Sequence, residues 1–342
     1  MTYRLTVCQQ SLRRVFEGDA PFDRSALDFN VAHACEMVRT AVREQGSKLV
    51  LLPEFCLHGI TPGRSVADWV EAAIRMPGPE TARLSEVAAE TGVYIGGCSF
   101  EFIPDFPDRY WNTAFLIAPS GEMVMKYRKL YAMTSKTRPS DVYSEWVQRY
   151  GTKSLFPVVD TPLGRLGFLI ARETHWPEVA RALAMKGAEV FLNTMGSRIT
   201  VDPATGAHFV RQMRAYENIA YLAAANYGPF VGVDGSVGKP RMYAEIVDFE
   251  GRIMAQADTY DETTVTAEID IQALRRRRTG QTNNLLVQLQ PRLHAQSYAS
   301  ADHFPLDHWL DRPVAHEAEN TALERDIIDR LVANGILIAP VA

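Results

Sequence analysis

The 342-residue chain reads as an α/β protein built on a mixed sheet covered by helices. Three observations predict this. Short apolar β-runs alternate with longer stretches of helical spacing. Several runs come in pairs joined by turn residues, which inserts antiparallel hairpins among the βα units. The apolar fraction of 46% beside 23% charged residues is ordinary globular composition, with ample chain for a large core. Hairpins within a βα series argue against an all-parallel barrel.

Each element has its own signal. Residues 5–8 predict a first strand, ended where Gln9 and Gln10 turn the run polar. Leu27, Val31, Ala34, Val38 and Val42 recur at helical spacing and predict a helix over 27–45. Residues 48–52 form a buried strand stopped by Pro53, 81–91 a helix and 93–98 the next strand. Runs 111–118 and 123–127 flank Pro119-Ser120-Gly121-Glu122, a turn by composition. Residues 158–160 and 165–170 pair across 161–164 in the same way. A helix opens at Pro177, where a missing N–H costs nothing, and stops at Lys186-Gly187. Strand 189–192, helix 209–219, strand 221–225 and a last hairpin at 246–253 complete the pattern. Beyond Ile271 the chain is rich in Arg, Asn, Gln, His and Pro and predicts an extended tail with one late helix at 317–334. The domain division is therefore 1–270, with 271–342 as a C-terminal extension.

Composition excludes several functions. With 36 Lys+Arg against 41 Asp+Glu and a net charge of −5, the chain lacks the clustered positive charge that nucleic-acid backbones demand. The longest apolar stretches, such as 219–225, fall far short of the ~20 residues that span a bilayer. No charged segment followed by an apolar run opens the chain, so the expectation is a cytoplasmic protein with no membrane partner. Cys8, Cys35, Cys56 and Cys98 form no CxxC pair and read as reduced thiols packed as small hydrophobes. His294, His303, His308 and His316 have irregular spacing without a metal-ligand motif, so no metal is expected. Residues 275–278 are four arginines, read as a solvated or interface segment.

Polar residues follow three of the strands closely. Glu54 comes after Leu51-Leu52-Pro53, Lys129 after Tyr127, and Ala171-Arg172-Glu173 after Gly167-Phe168-Leu169-Ile170. Ligand sites in α/β sheets gather where strands end. A carboxylate and an amine converging there can serve as base and electrostatic stabiliser.

These residues resemble a known family. Leu-Pro-Glu-Phe at 52–55, Tyr-Arg-Lys-Leu at 127–130 and Gly-Arg-Leu-Gly-Phe-Leu-Ile at 164–170 are similar to the three motifs of the nitrilase superfamily of carbon–nitrogen hydrolases. Pro-Glu-Val-Ala-Arg at 177–181, Arg214-Ala215-Tyr216-Glu217-Asn218 and Asn226 extend the likeness over roughly residues 3–260. The resemblance implies an α-β-β-α sandwich with mixed sheets and a Cys nucleophile, a Glu general base and a Lys. It implies hydrolysis of a small amide or ureide through a thioester, with a nitrile as the alternative substrate and no cofactor. It also implies a homodimer or higher homo-oligomer, for which the extension from 271 is the expected contact.

By motif the base is Glu54 and the lysine Lys129. The nucleophile position is Ala171, and alanine cannot form a thioester. The chain therefore reads as an inactivated Cys→Ala variant, engineered, with natural loss in a binding or regulatory protein as the alternative. Relatives often have a second glutamate near the lysine, for which Glu145 is the first candidate and Asp141 the rival. Arg172, Glu173 and His175, after the nucleophile position, are candidate oxyanion or pocket residues. Arg172 could instead pair with Glu173 or Glu178. Met195 and Gly196, in the 193–198 loop, are candidate pocket wall.

Overall fold

The first strand, β1 (Thr2–Leu12), organises the molecule because it has three partners. Its Leu5–Val7 stretch pairs in parallel with β2 (Leu49–Leu51) and antiparallel with β12 (Thr263–Asp270). Its far end, from Gln9, pairs in parallel with β9 (Tyr221–Phe230). Gln9 and Gln10 do not end the strand, as their polarity predicts. Both are fully buried, with amide groups donating to the carbonyls of Thr259, Asp261 and Cys56 at 2.6–3.1 Å. The computed structural model describes residues 2–132, 135–196, 209–231, 243–301 and 303–340.

From β1 the sheet extends both ways. One half continues through β2 to β3 (Tyr94–Glu101), β4 (Trp111–Ile117) and β5 (Met123–Arg128). The other runs through β9 to β8 (Val190–Thr194), β7 (Gly164–Ile170) and β6 (Val159–Thr161), with β10 (Glu245–Val247) and β11 (Ile253–Gln256) beside β9. Parallel and antiparallel pairs alternate as the inserted hairpins predict. The two halves face each other across one apolar core, where Leu5, Val7, Leu51 and Leu116 meet Phe168, Ile170, Leu192 and Ala223.

Helices cover the outer faces. α1 (Arg24–Gln45) and α3 (Pro79–Thr91) pack on the first half, and α2 (Val66–Ala72) adds Trp69 to the same core. α5 (Pro177–Met185) and α6 (Val210–Asn218) pack on the second. Helix, sheet, sheet and helix are therefore stacked in four layers, the sandwich expected from the motifs.

The C-terminal region differs from the expectation. β12, unanticipated, lies along most of β1, and only Val265 and Ile269 of it are buried, a spacing of four that hides the strand period. α7 (Ile271–Thr279) then folds back against β7 and β8 rather than starting an extended tail. Its four arginines all serve the fold. Arg275 pairs with Glu189 at 2.7 Å, Arg276 with Asp270 at 3.6 Å and Arg277 with Glu250 at 2.8 Å. The Arg278 Nε donates to the carbonyl of Ile219 at 2.7 Å.

After α8 (Pro291–Ser300), the chain crosses to the loops that precede β4 and follow β5 and ends in α9 (Glu317–Ala333). Arg109 binds the carbonyls of Trp309 and Leu310 at 2.7 and 3.0 Å. Asp307 accepts from the backbone of Ser144 at 2.8 Å, at the start of α4 (Tyr143–Tyr150). Trp309 is buried by this docking. Truncating a buried tryptophan costs about 3 kcal/mol. Trp309→Ala should therefore lower the unfolding free energy by that order, read as a lower denaturant midpoint at unchanged slope. An unchanged midpoint would show that the extension does not dock on its own chain.

Candidate active site

Two loops from opposite halves of the sheet are stitched together at the site. β2 ends at Leu51, and the turn that follows brings Glu54 to the end of β8, where its backbone N–H donates to the Met195 carbonyl at 3.1 Å. The Glu54 carboxylate is buried, 1% exposed. Its Oε1 accepts from Lys129 Nζ at 2.7 Å and from Asn112 Nδ2 at 2.6 Å. Lys129 follows β5, and its backbone N–H binds the Asn112 carbonyl at 2.9 Å, so one residue of β4 positions both members of the pair. The other side-chain atom of Asn112, Oδ1, accepts from the Cys98 thiol at 2.9 Å. Burial holds that thiol well above the usual range, as it does Cys8 and Cys56. The four cysteines are free and buried.

Ala171 sits at the sharp turn after β7. Its φ of +50° is left-handed, a conformation that costs a residue with a β-carbon about 1–2 kcal/mol. Five hydrogen bonds hold it there. Asn193 Nδ2 donates to the carbonyls of Leu169 and Ala171 at 2.9 and 3.3 Å. Glu173 Oε2 accepts from the Ile170 N–H at 2.7 Å, while its Oε1 accepts from Leu130 at 2.7 Å and Tyr131 at 3.3 Å. Glu173 thus ties the turn at 171 to the segment that follows Lys129.

The remaining candidates divide. Met195 is buried, and a β-carbon at Gly196 would lie 2.7 Å from both Glu54 Oε2 and the Phe55 ring, so glycine is required where the wall approaches the carboxylate. Ser197 and Arg198 lie outside the described residues. His175 stands on the same turn as Ala171, and burial with nearby Arg172 and Arg214 pushes its imidazole below the usual range. Arg172 has its Nε buried. The oxygens of Glu173 are occupied by backbone N–H groups, and Glu178 accepts from the Tyr298 hydroxyl at 3.0 Å.

The two candidates for a second acid are placed differently. Trp146 is the buried residue of α4, which turns its neighbour Glu145 to the surface, where the carboxylate, 44% exposed, pairs with Arg149 at 3.7 Å. Asp141 is buried but bound by Arg138 at 2.8 Å. Sequence reasoning also missed Asn112, which binds both Glu54 and the backbone of Lys129. An asparagine opening an apolar strand was the available signal.

With this geometry established, comparison with known proteins is informative. The sequence pattern of the carbon–nitrogen hydrolases matches residues 4–279. The chain belongs to the carbon-nitrogen hydrolase family. Among relatives, the omega-amidase NIT2 of Bos taurus is 29% identical over 246 residues, 72% of this chain and 84% of that protein. A formamidase of Bacillus thuringiensis (strain Al Hakam) is 31% identical over 225 residues, covering 66% and 62%. Nit3 of Saccharomyces cerevisiae, described as a nitrilase-superfamily member, superposes with a TM-score of 0.62 at 22% identity over 82% of this chain and 97% of that one. A cysteine-to-alanine mutant of the amidase from Nesterenkonia sp. AN1, solved with butyramide, does so with a TM-score of 0.62 at 20% identity, over 86% and 96%. Such structures share the fold of this carbon–nitrogen hydrolase.

Glu173 gives the site a pH signature. Burial outweighs its backbone donors and raises its carboxyl from 4.5 to about 7. The folded chain then keeps a proton that the unfolded chain releases. This group's stabilisation is full below about pH 4.5 and is lost as pH rises to about 7. Glu173→Gln should remove that dependence, so the stability of the parent relative to the variant should fall between pH 5 and 7.5. The variant should also lose about 1–3 kcal/mol, because one backbone N–H then faces an amide NH₂. A difference that does not change with pH would contradict this account of Glu173.

Proposed function

We propose that the site is built to hydrolyse the carbon–nitrogen bond of a small amide or N-carbamoyl compound, in a chain that lacks the nucleophile. The observation that carries this reading is the buried Glu54–Lys129 pair beside a strained turn that presents residue 171. Strain of this kind persists where the surroundings over-determine it, and such places cluster at active sites.

With cysteine at 171, each group has a balanced task. Glu54 takes the thiol proton, and the thiolate attacks the carbonyl carbon. Lys129 Nζ and the backbone N–H of Arg172 receive the developing oxyanion, donors typically worth about 2.7–4 kcal/mol each. Glu54 passes its proton to the departing nitrogen, leaving a thioester and ammonia. It then takes a proton from water, whose oxygen attacks the thioester. The acid departs and the sulfur is reprotonated.

With Ala171 in place, binding and orientation remain while the covalent step is impossible. The chain is then a ligand-binding form of the hydrolase, whether the alanine is engineered or natural. A homo-oligomer fits the same reading. α8 has no buried residue, and Leu293 and Tyr298 are 68% and 63% exposed along it, a surface suited to a second copy.

The test is restoration. Ala171→Cys should release ammonia from simple amides or N-carbamoyl compounds. In that background Glu54→Gln should reduce the rate at least about 100-fold, since it removes the general base. Faster release from nitriles than from amides would favour the nitrilase alternative. No release from any amide, ureide or nitrile would leave a natural binding or regulatory protein as the better reading.

A further inference from the structure

One thiol that the mechanism does not use lies two hydrogen bonds from the base. Cys98 is fully buried on β3, where it pairs with Ala114 of β4. Side chains two residues apart share a face of a strand, so Asn112 stands diagonally across from it. The small Ala114 lets the two polar groups meet, with Cys98 Sγ 2.9 Å from Asn112 Oδ1. Asn112 Nδ2 in turn lies 2.6 Å from Glu54 Oε1.

The chemistry of these groups fixes who donates to whom. A carboxylate only accepts, so the end of the Asn112 amide that faces Glu54 is its NH₂. The amide oxygen then faces Cys98, and the thiol must be the donor. It is able to donate because it stays protonated. Burial, with Glu54 and Cys56 nearby, holds it well above the usual thiol range, although Lys129 and the Thr194 hydroxyl pull the other way. An amide turned over would set its oxygen against the carboxylate and its NH₂ against sulfur, a weak acceptor. The thiol therefore locks one orientation of Asn112.

That orientation divides the two oxygens of Glu54. Lys129 Nζ and Asn112 Nδ2 both donate to Oε1, at 2.7 and 2.6 Å. Among the described residues none donates a hydrogen bond to Oε2, which faces Gly196 in the wall of the site. Donors to a charged oxygen favour its unprotonated form, so a proton arriving at this carboxylate goes to the other oxygen.

We propose that Cys98 is a positioning residue that acts through Asn112. Its thiol holds the amide so that Oε1 of Glu54 is committed to Lys129, leaving Oε2 as the atom that takes and returns the proton. The inference rests on the hydrolytic reading of the site. Oε2 accepts the proton of a cysteine at 171 and passes it to the departing nitrogen, while Cys98 keeps its own proton throughout. A thiol that only fills space would be replaced without loss by any side chain of its size.

The test is made on the full chain carrying Ala171→Cys, with ammonia release from butyramide as the readout. Cys98→Val, of similar volume but without a donor, should lower kcat at least about tenfold and leave KM within about twofold. Cys98→Ser, which keeps a donor, should recover most of that loss. Adding Cys98→Val to Glu54→Gln should cost no further rate, because the thiol acts only through the carboxylate. A second measurement needs no turnover. In the unaltered chain, the infrared S–H stretching band that disappears in Cys98→Ser should lie below that of an alkanethiol in hydrocarbon solvent. Full kcat in Cys98→Val, equal losses in the Val and Ser variants, or a further loss on top of Glu54→Gln would overturn the inference and leave the hydrolytic reading intact. So would an S–H band at the alkanethiol position, whether or not Cys98→Val folds. No ammonia from the Ala171→Cys chain with any amide or N-carbamoyl compound would overturn both.

Discussion

A carboxylate sealed inside a protein must have its charge answered there, and the site is arranged around answering that of Glu54. Lys129 and Asn112 reach the same oxygen, and Asn112 also binds the backbone of Lys129. Removing one partner of a buried ion pair leaves an uncompensated charge, which typically costs about 3–5 kcal/mol. The two sheets therefore meet with little freedom at this point. The Glu54 N–H bond to Met195 and the close approach of Gly196 follow from the same constraint, since each brings backbone of the second half against the carboxylate from the first.

The turn at Ala171 is the complementary feature. Its left-handed backbone is held by Asn193 and Glu173, and Glu173 reaches across to the residues after Lys129. Position 171 and Lys129 are thus coupled through one buried carboxyl. On the proposed reading, the groups of a covalent hydrolase surround a side chain that carries no nucleophile. Burial also separates the roles of the thiols. Cys56 and Cys98 lie near Glu54 in sequence or space, but both are pushed away from the thiolate form that a nucleophile needs.

Much of this was legible from sequence, for a physical reason. A strand buried on both faces is a nearly continuous apolar run, so the polar residue that follows β2 stands out, as Glu54 does. Lys129 instead follows the half-buried edge strand β5, beside Lys126 and Arg128, and was legible from its motif. Legibility failed where burial depends on distant packing. Gln9 and Gln10 look like a strand end but are satisfied by carbonyls from remote loops. β12 buries only two residues, and α7 hides its apolar Ile271 and Leu274 ahead of an arginine run whose partners are scattered over the chain. On α4 the sequence does not say which neighbour is covered, and the helix turns Trp146 inward and Glu145 outward. Lys136 gave no signal in the sequence, yet its ammonium is buried beside the rings of Phe55 and Phe100.

The central claim is that residue 171, Lys129 and the backbone at Arg172 form one amide-binding centre. The most direct measurement is a crystal structure of the unaltered chain soaked with butyramide. The account predicts the carbonyl oxygen within hydrogen-bonding distance of Lys129 Nζ and the Arg172 N–H, with the carbonyl carbon facing the Ala171 β-carbon. A site empty at saturating ligand, or butyramide bound only elsewhere, would contradict it.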